Sequence, residues 1–245
     1  MHSGILIVVL DIALIVHAAR SGRFMPWGYI ILFLPGIGAL AYIVVELVPE
    51  WLGTRGARRA RGRFTSALDP GRRYRELQEQ LAVVDTIANR SALAEECLAL
   101  GRFDEALAQY NAILAMPLGD EPSFMLGKAR AQLGLGDAAG AVATFAELKR
   151  LWPTYETPEA DLVRAIALEG AGRNDEAIAS YGAASQHYPG VEPSVRQAQL
   201  LQRLGREGEA REIAQDVVRS LRRAPAHVRA TERQWLASAE KIAGS

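Results

Sequence analysis

LALGRFDEALAQY (98–110) and LEGAGRNDEAIASY (168–181) carry one pattern: a Gly, an Ala five residues on, and a Tyr four beyond that. Extended back seven residues to a further Ala, the pattern occurs four times along the chain. The copies are Ala94/Gly101/Ala106/Tyr110, Ala129/Gly136/Ala141/Phe145, Ala165/Gly172/Ala177/Tyr181 and Ala198/Gly205/Ala210, the last with Ala214 in the aromatic place. Successive glycines are 35, 36 and 33 residues apart, and Pro117, Pro153 and Pro189 close the first three copies. A small residue two turns before a Gly sits inside a helix that the Gly ends, because glycine tolerates the left-handed backbone of a helix C-cap. Ala and aromatic at i, i+4 share one face of a second helix, which the proline then stops. Each copy is therefore a helical hairpin, too small to bury its apolar face alone, so the copies must stack into a solenoid.

The period, the small–Gly–Ala–aromatic–Pro order and its recurrence over residues 87–225 resemble tetratricopeptide repeats. That resemblance implies an all-α stack whose first helices line a concave face that holds a protein or peptide partner. Two departures from the family pattern stand out. Arg90, Met125, Asp161 and Ser194 occupy the place of the usual early bulky residue, and the fourth copy lacks its aromatic. The fourth repeat thus reads as close to a terminal cap.

Composition excludes several classes. Twenty-eight acidic residues balance 28 basic ones, which argues against a nucleic-acid binder built on bulk positive charge. The one cysteine, Cys97, permits no intramolecular disulfide and lies at a core-facing position. Paired catalytic carboxylates, Ser/His/Asp or Cys/His sets, phosphate-binding Gly loops and metal-ligand spacings are not recognisable in the sequence. The chain reads as non-enzymatic, with no cofactor.

Ahead of the repeats, residues 4–19 (GILIVVLDIALIVHAA) and 27–48 (WGYIILFLPGIGALAYIVVELV) are apolar runs joined by a basic turn. The second run exceeds the roughly 20 residues that span a bilayer and the first is marginal, so residues 1–52 read as a two-helix membrane anchor. A cleaved signal peptide fits less well, because Met1-His2-Ser3 carries no positive charge. Arg20 and Arg23 in the turn are outnumbered by Arg55, Arg58, Arg59, Arg61 and Arg63 beyond the second run. That asymmetry places the repeats on the cytoplasmic side of a multi-pass bacterial inner-membrane protein. Asp11, in mid-span, reads as an intramembrane polar residue bonded across the hairpin; an ion-transport role is the rival reading. Residues 20–42 resemble the membrane segment found ahead of phospholipase D-type enzymes such as cardiolipin synthases, on Trp27, Pro35, Gly38 and Tyr42. The His-x-Lys-x4-Asp motif of that chemistry is missing at all four histidines. The resemblance accordingly implies a non-catalytic accessory subunit of a phospholipid-synthesis or envelope complex, as the alternative to a membrane-anchored scaffold.

Residues 53–71 form a basic linker whose arginines are attracted to anionic lipid headgroups. From Arg72 no Pro or Gly occurs until Gly101, and Tyr74, Leu77, Leu81, Val84 and Ile87 keep helical spacing, which predicts one long lead-in helix. It opens a repeat domain over 72–225, and 226–245 forms a single capping helix. Offsets from the packing alanines point Ser91, Glu95 and Leu98, then Leu126, Arg130 and Leu133, then Leu162, Ile166 and Glu169, then Val195, Gln199 and Gln202 into the concave groove. Arg196 and Arg203 flank its end. An apolar middle with mixed charge suits an amphipathic or extended peptide. Chaperone-tail-binding members of the family use Lys and Asn where this chain has Ser91 and Glu95, so that specificity does not carry over.

Overall fold

The structure, a computed structural model, describes residues 2–20, 24–34, 37–43 and 71–244. The described residues form helices joined by turns, as the reading of an all-α chain requires. Contacts divide the chain into two units, Met1–Glu76 and Leu77–Ser245.

In the first unit, α1 (His2–Arg20), α2 (Phe24–Phe33) and α3 (Ile37–Tyr42) pack on one another. Leu14, Ala18, Trp27, Ile31, Ala39 and Tyr42 form its core. The Trp27 and Tyr42 rings meet edge to face at 5.3 Å, and the Tyr42 hydroxyl lies 2.8 Å from His17 Nδ1. Gly38 makes the return of α3 onto α2 possible: a Cβ there would stand 2.5 Å from the Ile30 carbonyl oxygen. The outer side is apolar as well, with Met25, Leu32, Phe33, Ile37 and Leu40 each more than half exposed. Asp11 is buried, at 7% exposure.

This geometry corrects the two-span anchor. The described part of 27–48 is divided between α2, ten residues, and α3, six. Ten residues of helix reach about 15 Å, half the roughly 30 Å of a hydrocarbon core. The 19-residue α1 carries Asp11, His17 and Arg20. Among the described residues no helix is long and apolar enough to cross a membrane. The expected multi-pass inner-membrane localisation, and the cytoplasmic placement derived from it, are overturned by that finding. The basic linker, with Arg55, Arg58, Arg59, Arg61 and Arg63, lies outside the described residues.

The second unit is the predicted stack. Its hairpins are α5 (Ile87–Ala99) with α6 (Phe103–Leu114), α7 (Pro122–Gly134) with α8 (Ala138–Leu151), α9 (Pro158–Gly170) with α10 (Asn174–Ser185), and α11 (Glu192–Arg203) with α12 (Glu207–Arg223). Each helix packs on the next, and the first helices of the first three hairpins also touch directly. The eight pattern alanines at 94, 106, 129, 141, 165, 177, 198 and 210 are fully buried, as are Tyr181 and Ala214. Gly101, Gly136, Gly172 and Gly205 all adopt positive φ, between 71° and 78°. Around each, two hydrogen bonds recur. Arg102 N–H donates to the Cys97 carbonyl at 2.8 Å and Gly101 N–H to that of Leu98 at 3.2 Å, with the same pair at Asp137/Gln132, Arg173/Leu168 and Arg206/Leu201. This is the Schellman arrangement, in which the left-handed residue lets the chain satisfy the last helical carbonyls.

The next helix starts at once, and its start is stabilised in two ways. Arg102, Arg173 and Arg206 grip Glu105, Glu176 and Glu209 three residues on, with Nε to carboxylate distances of 2.6, 2.7 and 2.7 Å. The carboxylates sit in the first helical turn, where the helix dipole favours them. The second copy has Asp137 and Gly140 in those places, and there the Asp137 carboxylate caps the helix by accepting the Gly140 N–H at 2.8 Å.

Two expected helices are divided. The lead-in segment breaks between α4 (Arg72–Val83) and α5, because the Thr86 hydroxyl accepts the Asn89 N–H at 3.2 Å and so starts a new helix. The Asn89 amide closes the preceding end by donating to the Val84 carbonyl at 2.8 Å. The C-terminal segment is α13 (Ala226–Thr231) and α14 (Arg233–Ala243), broken at Glu232, whose carboxylate accepts the Val191 N–H at 3.4 Å. In the fourth repeat Ala214 leaves the aromatic site empty. Trp235, Leu236 and Ile242 of α14 pack into the cluster around it, which explains why the missing aromatic does not leave a void.

Candidate peptide-binding groove

The first helices α5, α7, α9 and α11 open onto a cleft of about 790 Å³. Its lining follows a strict register counted back from each repeat glycine. Seventeen residues before Gly172 and Gly205 stand Tyr155 and Tyr188; thirteen before come Ser123, Glu159 and Glu192; ten before, Leu126 and Leu162; six before, Glu95, Arg130 and Ile166. A second cavity of about 390 Å³ shares Ile166 and continues past Glu169, Arg196, Leu200 and Arg203.

The sequence-predicted residues divide accordingly. Leu126, Arg130, Leu162 and Ile166 come together in the first cavity, and Glu169, Arg196 and Arg203 join Ile166 in the second. Leu133 and Gln199 line neither: Leu133 packs against the α7/α8/α9 cluster, and Gln199 is half-buried on α11. Leu126 and Leu162 are 7% and 5% exposed, so they form a floor that also belongs to the core, while Val195 is wholly buried. The prediction therefore lay about one turn too far toward the helix C-termini. The lining also takes in Tyr155 and Tyr188, which stand in the turns ahead of α9 and α11, and offsets counted within the first helices do not reach those turns. Tyr155, Tyr188, Glu159 and Glu192 were missed. Their signal was present in the sequence, since aromatic and acid recur at matching offsets in the third and fourth copies.

The groove charges are organised by buried tyrosines. The Tyr110 hydroxyl donates to Glu95 Oε1 at 2.5 Å, and the other oxygen of Glu95 lies 3.4 Å from Arg130 Nη1 on the next repeat. Arg130 reaches Glu159 of the third repeat at the same 3.4 Å. The motif recurs one pair of repeats later: Tyr181 donates to Glu169 Oε2 at 2.6 Å, and Glu169 also receives the Arg203 guanidinium. Burial, and then the hydrogen bond to its glutamate, raises each phenol well above the ordinary tyrosine range. Tyr188 is raised too, by burial first and then by Glu192, Glu159 and Glu232. Arg196 is held from two sides, with Nε 2.7 Å from Glu192 and its guanidinium 5.2 Å over the Trp235 ring. The last helix thereby fixes a groove residue.

Tyr110 also sets the spacing between repeats. A Cβ on Gly127 would fall 2.2 Å from its ring, so α7 can approach α6 only with glycine at that place. Chemically the surface offers apolar floor, tyrosine rims and paired charges. Among the described residues no group of His, Cys, Asp and Glu is disposed to hold a metal ion.

The tetratricopeptide repeat family model matches residues 91–156 and 162–228, more than half of the chain. Among solved structures, the crystal structure of a thermophilic TPR protein from Thermus thermophilus matches with a TM-score of 0.54 at 21% identity. The match covers 69% of this chain and 89% of that one, and at this identity it speaks for the fold. No curated protein matches the sequence. The resemblance of residues 20–42 to the segment ahead of phospholipase D-type enzymes has no counterpart in these comparisons.

Proposed function

Because the chain belongs to the tetratricopeptide repeat family, we propose that it is an interaction scaffold whose groove takes an extended or amphipathic segment of a protein partner. The observation that carries this reading is the continuity of the lining. Two cavities of about 790 and 390 Å³ share Ile166 as a wall and lie along successive first helices, with apolar floor and polar rim. An extended segment rises about 3.3 Å per residue, so alternate side chains meet the floor while backbone groups face the tyrosine hydroxyls and charged rim. Leu126, Arg130, Leu162 and Ile166 form the first contact set, with Tyr155, Tyr188 and Glu159 added; Glu169, Arg196 and Arg203 form the second. The accessory-subunit alternative has no observation to favour it.

The test is affinity capture with wild type and a Glu159→Arg/Ile166→Gln variant, followed by identification of the proteins retained. Both positions are at least partly exposed, so the fold is retained, whereas Leu162→Glu would bury a carboxylate and report on folding instead. Loss of a specific partner from the folded variant supports the groove. An unchanged set of bound proteins contradicts it.

A further inference from the structure

A smaller cavity, of about 240 Å³, lies between α8 and the α9/α10 hairpin. Its volume equals that of about eight waters at roughly 30 Å³ each, room for a short acyl or amino-acid side chain and not for a helix. Val142, Phe145, Leu148 and Leu168 make its walls apolar. Three cations and three carboxylates stand round it, and they are not equally matched. Arg173 is held by Glu176 through two hydrogen bonds of 2.7 and 2.6 Å, and Lys149 Nζ donates to the Pro153 carbonyl at 2.7 Å and approaches Glu156 at 3.3 Å. Arg164 differs. Its nearest carboxylate, Asp161, is 3.9 Å away, too far for a hydrogen bond, and its buried Nε has no partner among the described residues. The outer end of its side chain is open, at 43% exposure.

We propose that this cavity binds a carboxylate carried on a short apolar group, with the Arg164 guanidinium taking the carboxylate and the α8 wall taking the chain. The planar guanidinium offers paired N–H donors that match a carboxylate. Glu156, Asp161 and Glu176 disfavour a doubly charged phosphate, while a single negative charge is matched by Arg164 itself. A free carboxylic acid and the C-terminus of a peptide share this chemistry.

Saturation-transfer NMR on the full chain tests the site with hexanoate against hexanamide, and N-acetyl-leucine against its amide. At least one acid binds and its amide does not; binding by hexanoate alone identifies a free acid, and binding by N-acetyl-leucine identifies a peptide terminus. Arg164→Gln weakens the acid roughly ten- to a hundredfold, the loss expected for a hydrogen bond to a charged group. Ala146→Phe, at an exposed place on the cavity mouth, blocks the chain and lowers binding while leaving Arg164 intact. The proposal is overturned if neither acid binds, if the amides bind as well as the acids, or if both variants, folded by circular dichroism, bind the acid like wild type.

Discussion

Gly127→Ala provides the sharpest stability prediction, because two effects of opposite sign meet at one atom. Gly127 lies inside α7, and in an unhindered helix interior Ala is better than Gly by roughly 1 kcal/mol. Here the added Cβ would stand 2.2 Å from the Tyr110 ring, which is 1% exposed and whose hydroxyl is held by Glu95 at 2.5 Å. Either the helices part, with an overpacking cost of about 1–3 kcal/mol, or the ring swings out and loses a hydrogen bond to a charged group, about 1.5–3 kcal/mol. Glu95 is half exposed, which favours the lower end of the second range. After the helix-propensity gain of roughly 1 kcal/mol, the net loss is about 0–2 kcal/mol. In a Tyr110→Ala background the obstacle is gone, and the same substitution stabilises by roughly 1 kcal/mol. Urea unfolding followed by far-UV circular dichroism measures both. A Gly127→Ala protein stabilised by the full 1 kcal/mol or so of an unhindered helix, or the same change in both backgrounds, would refute the argument that Tyr110 sets the repeat spacing.

Other outcomes follow from the same geometry. Replacing Gly101, Gly136, Gly172 or Gly205 singly with Ala meets no atom within 4 Å, so the cost is conformational alone, about 1 kcal/mol and similar at all four sites by denaturant melts. Stability declines as pH rises above about 10. The folded-state phenols of Tyr110 and Tyr181 are raised above the unfolded value, so their contribution is complete below that value and is lost as pH climbs toward the folded one. Tyr110→Phe/Tyr181→Phe flattens this alkaline limb, as read from melting temperature against pH. Cys97 is fully buried and its thiol is pushed up to about 11, chiefly by burial and then by Glu105, so a thiol reagent labels it only when the chain unfolds.

The repeat domain was legible because each constraint is spelled in a residue type. A left-handed turn calls for glycine, a close helix crossing for alanine, and the hollow beside it for an aromatic, and all three recur at fixed offsets. The groove was legible in part of its membership but displaced by a turn, since offsets counted within the first helices do not reach Tyr155 and Tyr188 in the turns ahead of them. The breaks at 84–86 and at Glu232 depend on single side chains, Thr86 and Glu232, acting on backbone groups that hydropathy does not weigh. At the N-terminus, hydropathy registered apolar content and not chain reversal. Gly38, which entered only through the resemblance of residues 20–42, is where α3 meets α2.

The most direct test of the scaffold account is photo-crosslinking in source cells. Benzoylphenylalanine is placed at Ser123 or Glu159, exposed in the groove, and at Glu147 or Arg219 on second helices. The account predicts one shared adduct from both groove positions, absent from both second-helix positions and lost when Ile166→Gln is added. Adducts confined to Glu147 or Arg219, or indifferent to Ile166, would contradict a working surface on the first helices.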